Sequence, residues 1–170
     1  WKTYVNRPET DELRRLAMSV LGNGLFAANR DEDALIVVEA ELALRQRLGD
    51  SESNILMTQG NLASTYSRIG RLEEAVRTER DVYSGWVKLH GEEHEQTLRA
   101  ALNCASTLVR LKRLEEAKTL LRKPVRVARR VLGENDEVTL KMRSSYADAV
   151  CRDTGATLDD LREAVTTLED

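Results

Sequence analysis

The stretch that decides the fold is Asn61-Leu62-Ala63-x-x-Tyr66 followed by Gly70-Arg71-Leu72-Glu73-Glu74-Ala75. It returns 42 residues later as Asn103-Cys104-Ala105-x-x-Leu108 and Lys112-Arg113-Leu114-Glu115-Glu116-Ala117. Working outward, Leu48-Gly49, His90-Gly91 and Leu132-Gly133 keep the same spacing, and Ser145-Tyr146-Ala147-x-x-Val150 is a further copy. Leu21-Gly22-x-x-Leu25 with Asn29-Arg30-Asp31-Glu32-Asp33-Ala34 is a degenerate first one. Similarity at a fixed period of this length marks stacked units that cannot bury their apolar faces alone.

Composition says what those units are made of. The 170 residues hold only two prolines and few aromatics, and they are rich in Ala, Leu, Glu and Arg, which suits helices and argues against a sheet protein. Each unit reads as two antiparallel helices of roughly 16–20 residues joined by short turns. The turn and cap signals predict helices over 10–28, 31–48, 52–69, 72–89, 94–111, 113–132 and 136–153, and a last one starting at Thr157. Thr10 is the expected cap of the first helix, Asn29 breaks it, Gly70 closes the third, and Thr157 with Asp160 forms an acidic capping box. The pairs Gly22 and Ala34, Ala63 and Ala75, and Ala105 and Ala117 let the two helices of a unit approach closely. The expected architecture is all-α, a right-handed α-solenoid of about four helix pairs in one repeat domain, with units of about 10–49, 50–91, 92–133 and 134–170. With no Met before Trp1 and a helical pattern still running at Asp170, the chain reads as an excerpt of a longer one.

Leu62-Ala63-x-x-Tyr66 followed by Ala75 resembles the tetratricopeptide signature L-G-x-x-Y…A. The 42-residue unit, with Leu89-His90-Gly91-Glu92-Glu93-His94-Glu95-Gln96-Thr97-Leu98 before the Asn-x-Ala motif, resembles the repeats of kinesin light chains, with Glu95 in a position where that family carries proline. HEAT-like repeats share the period but not the pattern. The resemblance implies a non-catalytic protein–protein interaction module whose first helices line a concave groove.

The groove positions follow from helical spacing. Counted from the small residue, the second unit presents Met57, Asn61, Ser64 and Arg68, the third Arg99, Asn103, Ser106 and Arg110, and the fourth Lys141, Ser145, Asp148 and Arg152. Arg68, Arg110 and Arg152 recur in register, and guanidinium groups recognise carboxylates through paired hydrogen bonds. Asn61 and Asn103 each offer a donor and an acceptor to a peptide backbone, and the resemblance implies that clamp. The expected ligand is an extended acidic peptide segment of a partner. The arginines also suit a plainer role, capping helix C-termini or pairing with neighbouring acids. The first unit offers Leu16, Val20, Asn23 and Ala27 instead. The alternative function is a structural scaffold or permanent subunit of a larger assembly, using convex faces and array ends.

Other classes find little support. No Gly-rich phosphate loop and no nucleophile with a positioned base occurs, so no catalysis and no cofactor is expected. His90 and His94 are four apart, but Gly91 intervenes and no third ligand is indicated, so no metal is expected. Lys118, Arg122, Lys123, Arg126, Arg129 and Arg130 read as a solvated outer face, and a net charge of −3 with no aromatics among them gives no case for nucleic acid. Pro124 predicts a kink, and Trp86 and Tyr83 predict core packing. No apolar run reaches the ~18 residues of a membrane span. Two lone cysteines, Cys104 and Cys151, suit a reducing compartment such as the cytoplasm.

Overall fold

The computed structural model describes residues 2–153 and 155–169, with eight helices among them and no strand. They are α1 (Glu12–Ala27), α2 (Asp31–Arg47), α3 (Glu52–Arg68), α4 (Leu72–His90), α5 (Glu95–Arg110), α6 (Leu114–Leu132), α7 (Glu137–Arg152) and α8 (Leu158–Glu169). The all-α class and the helix-pair order are those the repeat predicts, and each described boundary falls within two residues of its expected place. The chain forms two compact units, Trp1–Thr78 and Glu79–Asp170, and α4 runs across the boundary.

Local chemistry explains the helix ends. Asp11, not Thr10, caps α1, its carboxylate accepting from the Arg14 amide at 3.1 Å. The acidic residue one position further on supplies the stronger acceptor. Ser51 caps α3 and Asp136 caps α7 in the same manner. Thr157 stands just before α8, while the Asp160 half of the expected capping box lies outside the described side chains.

The turn between the two helices of a repeat is built three times alike. Asn29, Gly70 and Lys112 occupy the left-handed region at φ 57, 85 and 61. The next amide donates back across the turn, Arg30 to Leu25, Arg71 to Tyr66 and Arg113 to Leu108, each at 2.9 Å. Such a residue satisfies carbonyls orphaned at the helix end. The arginine that follows then pairs with an acid three residues on, Arg30 with Asp33, Arg71 with Glu74 and Arg113 with Glu116. This is the structural content of the recurring Arg-Leu-Glu-Glu motif.

In the first unit α1 packs on α2 and α2 on α3, around Leu35, Val38 and Leu62 with Tyr66 and Ile69 against them. Gly22 is buried where an added β-carbon would stand 3.3 Å from Val38, so a small residue sets that approach. In the second unit α5, α6, α7 and α8 pack in succession, and α5 also meets α7. Its core joins Leu98, Leu121, Val125 and Ala128 to Val138, Met142, Tyr146 and Val150. Ala34, Ala63, Ala75, Ala105 and Ala117 are all fully buried. Pro124 is buried within α6, whose helical assignment continues through it to Leu132. Proline removes one donor there without ending the helix.

Candidate functional site

In the second unit, α5 and α7 run side by side and present one polar stripe each. Arg99, Asn103 and Ser106 stand on α5 at successive turns, and Lys141, Ser144 and Ser145 stand on α7. Together with Glu137 they line a cavity of about 370 Å³ whose apolar floor is Leu102 and Val138. Five of the ten sequence-predicted site residues therefore meet in one place: Arg99, Asn103, Ser106, Lys141 and Ser145.

The electrostatics of this cavity are mixed. Arg99 pairs with Glu95 at 2.8 Å, and Lys141 with Glu137 at 2.5 Å, each one turn apart on its own helix. Lys141 holds the Glu137 carboxyl below the ordinary carboxylate range, and Arg99 adds to that from the facing helix. Exposed pairs of this kind are screened by water and weak, so an incoming carboxylate competes with them at little cost. The Asn103 side chain is exposed, while the Ser106 hydroxyl donates to the Leu102 carbonyl at 2.8 Å and keeps its lone pairs to accept.

In the compact unit Trp1–Thr78, Asn61 and Ser64 line a smaller cavity of about 260 Å³ with Asn23, Phe26 and Val38. Arg68 has a different occupation. Its guanidinium donates to the Phe26 carbonyl at 2.9 Å and to Asn29 Oδ1 at 2.7 Å, pairs with Asp31 at 3.0 Å, and lies 4.0 Å over the Phe26 ring. It thus ties α3 to the α1–α2 turn. Arg152 pairs with Asp148 at 3.0 Å, and Arg110 lies close enough to Glu79 to act on its carboxyl. Neither arginine is part of the α5–α7 cavity lining.

The remaining candidates settle into structural roles. His94 caps α5, its Nδ1 accepting from the Gln96 amide at 3.2 Å, and its ring stacks on His90 with centroids 4.3 Å apart. Trp86 is buried beneath, stacked on His90 at 5.4 Å. Among the described residues no group of three or more His, Cys, Asp or Glu side chains is placed to hold a metal ion. Tyr83 is half-buried and lines an outer-face cavity with Arg80, Thr119 and Leu120. Lys118 departs from the expected solvated face: it is buried, with its ammonium on Asp153 at 2.6 Å and Glu115 at 2.5 Å. The two carboxylates compensate the charge of the buried ammonium. Lys123 and Arg130 pair with Glu92 and Glu93, and Arg129 lies 3.4 Å from Glu134. Cys104 is a buried free thiol and Cys151 an exposed one. No described helix is long and apolar enough to cross a membrane.

Sequence reasoning missed Glu137 and Ser144 in the cavity and the buried carboxyl of Glu79. Glu137 was legible in principle, since it sits one turn before Lys141. Glu79 was not, because nothing in a run of charged residues says which member turns inward.

The family model for tetratricopeptide repeats matches residues 55–96 and 97–137. No curated protein matches by sequence. Among solved structures, the kinesin light chain nearly identical TPR-like repeats of Podosopora anserina share the fold at TM-score 0.79 and 21% identity, covering 98% of this chain and 78% of that one. A single-substitution variant of it gives 0.78 and 22%, covering 99% and 77%. BtubC (BKLC) from P. vanneervenii gives 0.73 and 17%, covering 92% and 65%. Tetratricopeptide repeats are generally non-catalytic modules for binding other proteins. With its 42-residue units and its three-fold repeated turn, the chain has the fold of kinesin-light-chain-like tetratricopeptide repeats, and residues 55–137 are similar to the tetratricopeptide repeat family.

Proposed function

We propose that the chain is a non-catalytic interaction module that takes an extended acidic peptide segment of a partner protein in the α5–α7 cavity. The observation that carries this reading is the meeting of Arg99, Asn103, Ser106, Lys141 and Ser145 around one open cavity of about 370 Å³. Asn103 offers the backbone of an extended peptide one donor and one acceptor. Arg99 and Lys141 exchange their intrahelical partners for ligand carboxylates, and Glu137 limits how much negative charge the cavity accepts. Asn61 and Ser64 line a separate cavity on α3, and Arg110 and Arg152 stand on α5 and α7 outside the lining of the α5–α7 cavity. Charge-assisted contacts at a solvated cleft weaken as salt screens them.

The test is selection of displayed random peptides on the 170-residue chain, with the affinity of selected peptides measured by fluorescence anisotropy. Acidic sequences are expected, bound less tightly at higher salt and weakened at least about tenfold, or 1.4 kcal/mol, by Asn103→Ala combined with Arg99→Ala. Selected peptides without acidic residues, or peptides indifferent to both substitutions, overturn the reading.

A further inference from the structure

The α5–α7 cavity carries both signs of charge in a fixed order. On α5 Glu95 precedes Arg99 by one turn, and on α7 Glu137 precedes Lys141 by one turn. The helices α5, α6 and α7 pack in succession through two chain reversals, so α5 and α7 run the same way and each presents its acid toward its N-terminal end. The charge of Arg99 also reaches Glu137 from the facing helix. All four side chains are exposed, within reach of a ligand.

Arg99 and Lys141 thus already meet one carboxylate each. A segment bearing acids alone displaces Glu95 and Glu137 and then lies beside them, and like charges brought together oppose binding. A segment bearing one acid and one base exchanges the Glu137–Lys141 pair for two new pairs and leaves neither residue without a partner. The spacing of the two ligand charges follows from the helix. Four helical residues advance about 6 Å, and residues two apart on an extended strand are about 6.5 Å apart and project to the same side. An acid and a base at positions i and i+2 therefore span the step from Lys141 to Glu137, whereas adjacent residues project to opposite sides.

We propose that the segment taken in this cavity is of mixed charge, with a Lys or Arg two positions from its Asp or Glu, Glu137 receiving the base while Lys141 and Arg99 receive the acid. This rests on the α5–α7 cavity being the peptide site, and it makes Glu137 the residue that selects among acidic peptides.

Random peptides displayed on phage and selected on the 170-residue chain test it, beside the same selection on Glu137→Gln, an exposed and nearly isosteric change whose helicity is checked by circular dichroism. Wild type should enrich an acid and a base at a spacing of two over other spacings, and Glu137→Gln should keep the acid and lose the base. In fluorescence anisotropy, replacing the base of a selected peptide by alanine should weaken binding to wild type about threefold or more and leave the affinity for Glu137→Gln unchanged. Should the variant lose helicity, the wild-type selection and the alanine peptide decide by themselves. Acidic peptides with no base at that spacing, or a base retained on Glu137→Gln, overturn the mixed-charge pattern while the cavity remains the site for acidic peptides. Peptides without acidic residues overturn both.

Discussion

The Thr107 hydroxyl donates a 3.0 Å hydrogen bond to one oxygen of Glu79, while the other oxygen of that buried carboxyl has no hydrogen-bond partner among the described residues. A buried carboxylate satisfied on one side only resists ionisation. Burial pushes the Glu79 pKa from an ordinary 4.5 up to about 7, against the smaller opposing pulls of Thr107 and Arg110. Burial likewise pushes the neighbouring Cys104 thiol up to about 12, with Glu79 contributing.

This carboxyl makes stability depend on pH. Its folded-state pKa is raised, so the stabilising contribution is full below about pH 4.5 and is lost as pH rises through about 7. The loss is on the order of 3 kcal/mol at 1.36 kcal/mol per unit. Urea unfolding of wild type at pH 5 and pH 8 should show the fall, and Glu79→Gln, which cannot ionise, should flatten it. Equal pH slopes for the two proteins would contradict the assignment.

Lys112 stands at φ 61 in the turn where the preceding repeat has Gly70. A side chain in the left-handed region costs roughly 1–2 kcal/mol, part of which is returned by the lower entropy of the unfolded lysine. Lys112→Gly should therefore raise stability by about 1 kcal/mol, seen as a higher urea midpoint. Gly70→Lys should lower it by a similar amount.

Arg68 spends its guanidinium on the α1–α2 turn, with two hydrogen bonds, an ion pair and the Phe26 ring. Arg68→Ala should cost about 1–2 kcal/mol by removing charge-assisted hydrogen bonds at a partly solvated site. Arg68→Lys should recover little, because an ammonium cannot reach the carbonyl, Asn29 and Asp31 in one plane. Hydrogen exchange should show the loss at the amides of Asn29 and Arg30.

His94 caps α5 through Nδ1. His94→Ala should cost about 0.5–2 kcal/mol, and His94→Asp should restore the cap with a stronger acceptor at the positive end of the helix. Thermal unfolding of the three proteins ranks them, and an alanine variant as stable as wild type would remove the cap from the account.

Legibility followed the range of the interaction concerned. The helix pairs, the break at Asn29 and the left-handed position at Gly70 could be read directly, since a cap or a turn is made by residues a few places apart. The polar positions on α5 and α7 could be read too, because 3.6-residue spacing places them on one face. What Arg68 does could not, since its partners lie about forty residues earlier in the chain. The register that made Arg68, Arg110 and Arg152 look like one ladder says nothing about the different acids each one meets. Lys118 was misplaced on an outer face for the same reason, its deciding partner Asp153 being distant in sequence.

The sequence by itself determined the class of the fold, the number and length of its helices, and the polar positions that α5 and α7 share. These depend on backbone propensity, capping and periodicity, all of which are local. Only the tertiary structure decided which polar side chains share a cavity, which arginine is already spent on a turn, and that the carboxyl of Glu79 lies buried and half-satisfied. Those outcomes depend on which helices meet. The free energy of a buried charge or an uncovered leucine is set by neighbours that the chain brings together only on folding.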